Sequence, residues 1–300
     1  MNEPQWLAEQ FEQNRGHLRA VAYRMMGSLN EAEDAVQEAW LRLSRSDAQE
    51  IDNLGGWLTT VVSRVCLDML RSRKSRREES LDAPVGSDAT PLEPASKPMH
   101  RYDPEQEALL ADFVGLALLV VLNKLNPAER LAFVLHDMFD LDFEEIGGIV
   151  GRSATAARQL ASRARRRVRG TDAAQSAEVS EHRRVVNSFI AALRAGDLNA
   201  LVALLDPELE VQVDPGLLPA GVSSEVRGAE AWARQAISAA KGAKFARTAL
   251  IDGAVGAIVA PRGKLFRAFQ FTIVQGKITR VELVADPARL QAFDLAVLDE

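Results

Sequence analysis

Thiol chemistry is nearly absent from this chain: the single cysteine, Cys66, excludes an internal disulfide framework and a zinc cage built from cysteines. Histidine is almost as scarce, and the four present, at positions 17, 100, 136 and 182, show no metal-binding spacing. There is no glycine-rich phosphate loop. Long apolar runs are missing too, since the longest, Phe113 to Leu122, is broken by Gly115 and falls far short of a membrane span. The opening stretch, MNEPQWLAEQFEQNR, is acidic and amphipathic, unlike a signal or transit peptide. These gaps predict a cytosolic, soluble protein without metal or cofactor. Its 300 residues, 47% of them hydrophobic, are enough for two domains or three small ones.

An excess of basic residues is also lacking. The formal net charge is −6, which taken alone disfavours nucleic acid as a partner. The distribution reverses that inference. Residues 1–50 hold nine acids against five bases, whereas Arg64 to Arg77 holds six bases and one acid. From Glu78 to Asp112 nine acids face two bases, and Arg152 to Arg169 then carries seven arginines and no acid. Two basic blocks therefore stand in an acidic background. Residues 80–104 contain five of the twelve prolines and little periodicity, as a linker does. A shorter break follows at Gly170–Ala177. The expected organisation is a lobe over 10–77, a linker over 78–104, a second lobe over 105–170 and a third over 180–292.

In the first lobe Ala32, Ala35, Val36, Ala39, Trp40 and Leu43 mark an amphipathic helix over 29–44, with Glu31, Glu33, Asp34, Gln37 and Glu38 on its other face. Trp57, Leu58, Val61, Val62, Val65, Met69 and Leu70 mark a helix over 55–72 that runs into the arginines. Leu18, Val21, Ala22 and Met25 supply an earlier helix, so the lobe is a helical bundle. Cys66 lies beside the buried stripe, where a core thiol fits better than a redox switch. The charge clusters fit two readings, a solvated acidic face with a basic helix end favoured by the helix dipole, or a partner face and a DNA face.

The second lobe favours the DNA reading. Asn126-Pro127-Ala128-Glu129 opens a helix over 127–139, and Asp142-Phe143-Glu144-Glu145 opens a short one. Gly151 permits a tight turn and Ser153 caps the next helix. On that helix Ala157, Leu160, Ala161, Ala164 and Val168 form the buried stripe, leaving Thr155, Arg158, Gln159, Ser162, Arg163 and Arg166 facing outward. Arg reads guanine edges and Gln adenine edges in a major groove, and further arginines meet phosphate.

Together these two lobes resemble the extracytoplasmic-function class of sigma-70-family transcription initiation factors. Asn30-Glu31-Ala32-Glu33-Asp34-Ala35-Val36-Gln37-Glu38-Ala39-Trp40-Leu41-Arg42-Leu43 is very like the region 2 helix that docks on the β′ clamp helices of RNA polymerase. Gly56-Trp57-Leu58 and the basic helix resemble the part of region 2 that engages the −10 element, with Ser63-Arg64 where many members carry Arg-Asn. Leu125-Asn126-Pro127 onward, to Ser162-Arg163-Ala164-Arg165, resembles region 4. The resemblance implies core polymerase contacts at Asp34, Gln37, Glu38 and Arg42, and −10 contacts at Asn53, Trp57, Arg64, Arg71, Arg73 and Lys74. It implies −35 contacts at Ser153, Thr155, Arg158, Gln159, Ser162, Arg163 and Arg166. Its partners would be core RNA polymerase, through the clamp helices and the β flap, and promoter DNA. The loop Ser46–Asn53 is expected to capture a flipped base.

The third lobe reads as helices at Val185–Leu193, Leu201–Leu205 and Ala231–Ala240. Strands follow at 209–214, 245–251, 254–260, 265–274 and 277–284, with turns at Asp252-Gly253 and Gln275-Gly276. Helices and then a curved antiparallel sheet resemble a SnoaL-like (NTF2-like) cone, giving a multidomain chain of two all-α lobes and one α+β lobe. Sigma factors with such an extension carry marks matched here by Pro91-Leu92-Glu93-Pro94, Asp214-Pro215-Gly216-Leu217 and Asp286-Pro287-Ala288-Arg289-Leu290. That resemblance implies a regulatory lobe touching the sigma lobes through Asp214, Gly216, Asp286, Pro287 and Leu290. The alternative is a ligand-binding or cyclase-like cone fused to a DNA reader that needs no polymerase. Such chemistry calls for a carboxylate or His base in an apolar pocket; Asp214 before Pro-Gly reads as a turn residue, and His182 starts a helix. No enzyme activity is expected.

Overall fold

The computed structural model describes residues 3–46, 51–82, 115–170, 177–215 and 224–298. In chain order these form α1 (Glu3–Met26), α2 (Leu29–Leu43), α3 (Leu54–Asp82), α4 (Leu116–Lys124), α5 (Pro127–Phe133, continued by a π-helical turn at Val134–Met138), α6 (Phe143–Val150), α7 (Ala154–Arg169), α8 (Ala177–Ala195), α9 (Leu198–Leu204), β1 (Leu205–Val213), β2 (Glu225–Arg227), α10 (Ala229–Ser238), β3 (Ala246–Ile251), β4 (Ala254–Val259), β5 (Arg267–Val274), β6 (Lys277–Val284), α11 (Pro287–Ala292) and β7 (Leu295–Ala296). Packing groups the chain into two units, one of residues 1–110 and 125–164, the other of 111–124 and 165–300. Among the described residues no helix is long and apolar enough to cross a membrane.

In the first unit α1, α2 and α3 form a bundle around Leu18, Tyr23, Met25, Leu29, Leu43, Leu58 and Leu67, with Cys66 fully buried among them. The α2 stripe packs as its spacing predicts, burying Ala32, Ala35, Val36, Ala39 and Leu43. Glu33 departs from the expected solvated face. It is 5% exposed because it turns toward α1, where Arg15 at 3.2 Å and Arg19 at 3.0 Å pair with it. The helix α3 continues past the expected end near residue 72, through a run of Arg, Lys, Ser and Glu, most of them good helix formers.

The α6–turn–α7 arrangement is the expected helix-turn-helix. Gly151 sits at φ +73°, the left-handed conformation that ends α6. Gly147 is needed for a different reason: a Cβ there would lie 2.7 Å from the carbonyl oxygen of Arg152. In the second unit one seven-stranded sheet runs β2-β1-β6-β5-β4-β3-β7. The sheet is mixed rather than wholly antiparallel, since β1 lies parallel to β6. A parallel neighbour needs a long connection, and α10 with the whole meander of β3 to β5 supplies it. Both expected hairpin turns have positive φ at each central residue, Asp252 and Gly253, Gln275 and Gly276, as a type I′ turn requires. Phe189 stacks on Trp232 at 5.8 Å and meets Phe271 at 5.1 Å, filling the space between the helices and the sheet. The apolar run after Gly115 becomes α4, which packs in this unit against β7 and β3.

Candidate nucleic-acid interface

Helix α7 is preceded by Ser153, whose hydroxyl caps it by accepting from the N–H of Ala156 at 3.2 Å. Thr155, Arg158, Gln159, Ser162, Arg163 and Arg166 are all exposed, and Ala157, Leu160, Ala161, Ala164 and Val168 are buried. Two of the outward arginines are held by their own unit. The Arg158 guanidinium lies 5.0 Å over the Phe143 ring, which itself packs on His136 at 4.0 Å. Arg163 Nε donates to Glu129 at 2.9 Å, and that carboxylate is 4% exposed. The pair fixes Arg163 on the outward face of α7 and satisfies a buried charge. At the far end the N–H of Val297 donates to the Val168 carbonyl at 2.7 Å, tying the last turn of α7 into the second unit.

The surface expected to meet the −10 element lies at the start of α3. Asn53 Oδ1 accepts from the Gly56 N–H at 3.0 Å, so Asn53 serves as a helix cap. Trp57 is half-buried. With Gly56, Thr60 and Arg64 they line a cavity of about 360 Å³, whose opposite wall is Glu145, Gly148 and Ile149 of α6. Arg64 Nη2 donates to the Gly148 carbonyl at 3.1 Å. Further along α3, Arg71 stands 3.8 Å from Asp68, Arg73 pairs with Glu31, and Lys74 is exposed. Residues 47–50 of the expected base-capturing loop lie outside the described residues.

On α2, Asp34 and Gln37 are exposed and Glu38 pairs with Arg42 at 3.0 Å. Leu41 joins this stripe at the i+7 position from Asp34 and is 45% exposed. Its signal in the sequence was a leucine off the buried stripe. Asp214 takes two backbone N–H groups, Ala285 at 3.0 Å and Asp286 at 2.8 Å, which hold its carboxyl below the usual carboxylate range. Asp286 caps α11 by accepting from Arg289 N, Pro287 is its first residue, and Leu290 is buried. Asp214, Asp286, Pro287 and Leu290 thus come together at one helix. Gly216 and the 91–94 segment lie outside the described residues.

Arg130 carries no signal in the sequence beyond its place on an amphipathic helix. It is 2% exposed, and its Nε and Nη2 both donate to the Arg24 carbonyl, at 3.1 and 2.8 Å. Burial, with Arg73 nearby, pushes the guanidinium down to about 9, still charged at neutral pH. Burial pushes the Cys66 thiol up to about 12, which makes it inert.

A helical bundle with a basic extension, together with a helix-turn-helix bearing an acid-free arginine face, defines a DNA-reading protein with two reading surfaces. Comparison with known proteins gives the family. The Sigma-70 region 2 family matches residues 10–76 and the Sigma-70, region 4 family matches 115–168. Mycobacterium tuberculosis ECF RNA polymerase sigma factor SigJ is 38% identical over 95% of this chain and 94% of its own. The probable ECF RNA polymerase sigma factor SigI of the same organism is 41% identical over 67% of each chain. The crystal structure of M. tuberculosis SigJ covers 94% of this chain and 97% of its own at 33% identity and a TM-score of 0.42. The chain belongs to the extracytoplasmic-function RNA polymerase sigma factors, which direct the polymerase to promoters to start transcription, and it carries a C-terminal α+β unit built on the seven-stranded sheet.

Proposed function

We propose that the exposed stripe of α2, Asp34, Gln37, Glu38 and Arg42 with Leu41 among them, docks on the β′ clamp helices, and that the helix-turn-helix lobe meets the β flap. Asn53, Trp57, Arg64, Arg71, Arg73 and Lys74 engage the −10 element. Ser153, Thr155, Arg158, Gln159, Ser162, Arg163 and Arg166 engage the −35 element. The observation that carries this reading is the outward face of α7, polar and arginine-rich, with every apolar residue of its stripe buried.

The C-terminal unit acts in this reading as a regulatory lobe without a reaction of its own, in contact with the sigma lobes. Asp214, the carboxylate weighed as a base, is committed to two backbone N–H groups. The working compartment is the cytoplasm, where polymerase and DNA are. The test is run-off transcription by core RNA polymerase plus the full chain on a promoter library. Specific transcripts that depend on the added chain are expected; their absence across the library would remove the reading.

A further inference from the structure

Arg158 stands one turn into α7, and its guanidinium carbon lies 5.0 Å from the centroid of the Phe143 ring. Phe143 opens α6; Ile146 and Val150 behind it are buried, while Phe143 itself is half-buried. The same ring packs on the imidazole of His136 at 4.0 Å. His136 belongs to the π-helical turn at Val134–Met138, and such turns are frequent at functional sites. Its Nδ1 is 2.9 Å from the Leu141 carbonyl oxygen, so Nδ1 carries the hydrogen and donates it, which fixes the orientation of the imidazole. A chain of contacts thus runs from the Leu141 carbonyl through two rings to the guanidinium of Arg158.

Burial alone does not call for an aromatic residue at a half-buried position. What the ring adds is a negative π face, which attracts a guanidinium and restricts a long side chain to fewer rotamers. That attraction occupies the π system of the guanidinium and consumes none of its N–H donors. Arg158 is exposed, and no hydrogen bond or ion pair among the described residues engages it. Arg163, on the same face of α7, instead gives its Nε to Glu129. Bidentate recognition of guanine needs two donors held in one plane, and it is weakened by each rotamer that must be frozen on binding. Arg158 has both the free donors and the restraint.

We propose that Phe143, backed by His136, is a positioning residue for promoter specificity, holding Arg158 in the rotamer that reads a guanine edge in the −35 element. The proposal rests on Arg158 being a −35 base contact. Phe143 acts through Arg158 and touches no base itself. Replacing the ring therefore loosens preference at the one base pair that Arg158 reads, and leaves the phosphate contacts of α7 unchanged.

The test is binding of holoenzyme, core RNA polymerase with the full chain, to a promoter selected from the run-off library and varied one −35 base pair at a time. Arg158→Ala identifies the base pair by abolishing preference there. Phe143→Leu is expected to reduce preference at that same pair about fivefold, and Phe143→Tyr to retain it. Combining Phe143→Leu with Arg158→Ala is expected to match Arg158→Ala alone. In the free chain, nuclear magnetic resonance is expected to show an upfield ring-current shift of the Arg158 side-chain protons that Phe143→Leu removes and Phe143→Tyr keeps. General loosening of the helix-turn-helix would not reproduce that pattern. Circular dichroism checks folding, and Phe143→Met serves if Phe143→Leu unfolds. Loss spread evenly over the −35 positions, equal loss from Phe143→Leu and Phe143→Tyr, or an additive double variant overturns the positioning role while leaving Arg158 as a reader. Unchanged preference in Arg158→Ala would instead remove the −35 contact itself, and the positioning role with it.

Discussion

The ammonium of Lys124, the last residue of α4, donates to the Leu290 carbonyl at 3.0 Å. It also reaches the carbonyls of Gln291 at 2.5 Å and Phe293 at 3.1 Å, closing the C-terminal end of α11. One side chain thereby satisfies three carbonyls at the end of a helix whose start is held by Asp214 and Asp286. Asn123 adds a bond to the Gly263 carbonyl at 3.0 Å. A segment that the region 4 family match includes is, by packing, part of the C-terminal unit.

Replacing Lys124 with Met keeps the apolar stem and removes all three bonds. Stability is expected to fall by roughly 1–3 kcal/mol, the usual range for charged hydrogen bonds with partly buried partners. Urea unfolding of the full chain measures it, and an unchanged midpoint would mean that α11 is closed by other means.

Two adjacent glycines of α6 are expected to behave oppositely. Gly147→Ala forces a methyl against the Arg152 carbonyl and is expected to cost roughly 1–3 kcal/mol, as overpacking does. At Gly148 an added methyl would meet nothing within 4 Å, so Gly148→Ala is expected to be neutral or to stabilise by up to about 1 kcal/mol through helix propensity. Thermal unfolding of the pair decides; equal losses would contradict the close turn.

On the proposed −35 role of α7, Gln159 reads a base edge and Arg169 attracts phosphate. Gln159→Ala is expected to relax preference at one −35 base pair by about 1–3 kcal/mol. Arg169→Ala is expected to weaken all sequences alike and to flatten the salt dependence by about one unit of slope. Holoenzyme binding to a set of −35 variants at two salt concentrations separates them. Uniform effects from both substitutions would remove the groove assignment of α7.

Asp214 makes a pH-dependent contribution whose sign follows from its depressed carboxyl. A carboxyl with a folded pKa below its unfolded value of about 3.9 adds stability above that value and loses it as pH falls through the folded one. The gap in unfolding midpoint between the native chain and Asp214→Asn is therefore expected to stay constant from about pH 7 to 5 and to shrink below about pH 3.5. A gap that widens on acidification would show that the carboxylate is not the hydrogen-bonded form.

Helix starts, hairpin turns and buried stripes were legible because each is fixed by residues a few positions apart. Asn126-Pro127, Gly151 and Asp252-Gly253 each carry their own backbone geometry, and the α7 stripe follows from 3.6-residue periodicity. Family motifs in order then carried the function. What stayed hidden was the fate of individual charges. Glu33 looks like its neighbour Asp34 in the sequence, yet two arginines of α1 make it a buried ion pair. Arg163 and Arg158 share an outward face with Gln159, yet one is tethered to Glu129 and the other rests on Phe143.

By itself, then, the sequence determined the elements, the helix-turn-helix and the sigma-factor family. Only the tertiary structure decided that the apolar run before Lys124 joins the C-terminal unit, that β1 lies parallel to β6, and that Arg130 is buried against α1. The physical reason is common to all three. Local conformation depends on steric and capping preferences within one or two turns, whereas burial and charge pairing depend on which distant segments meet.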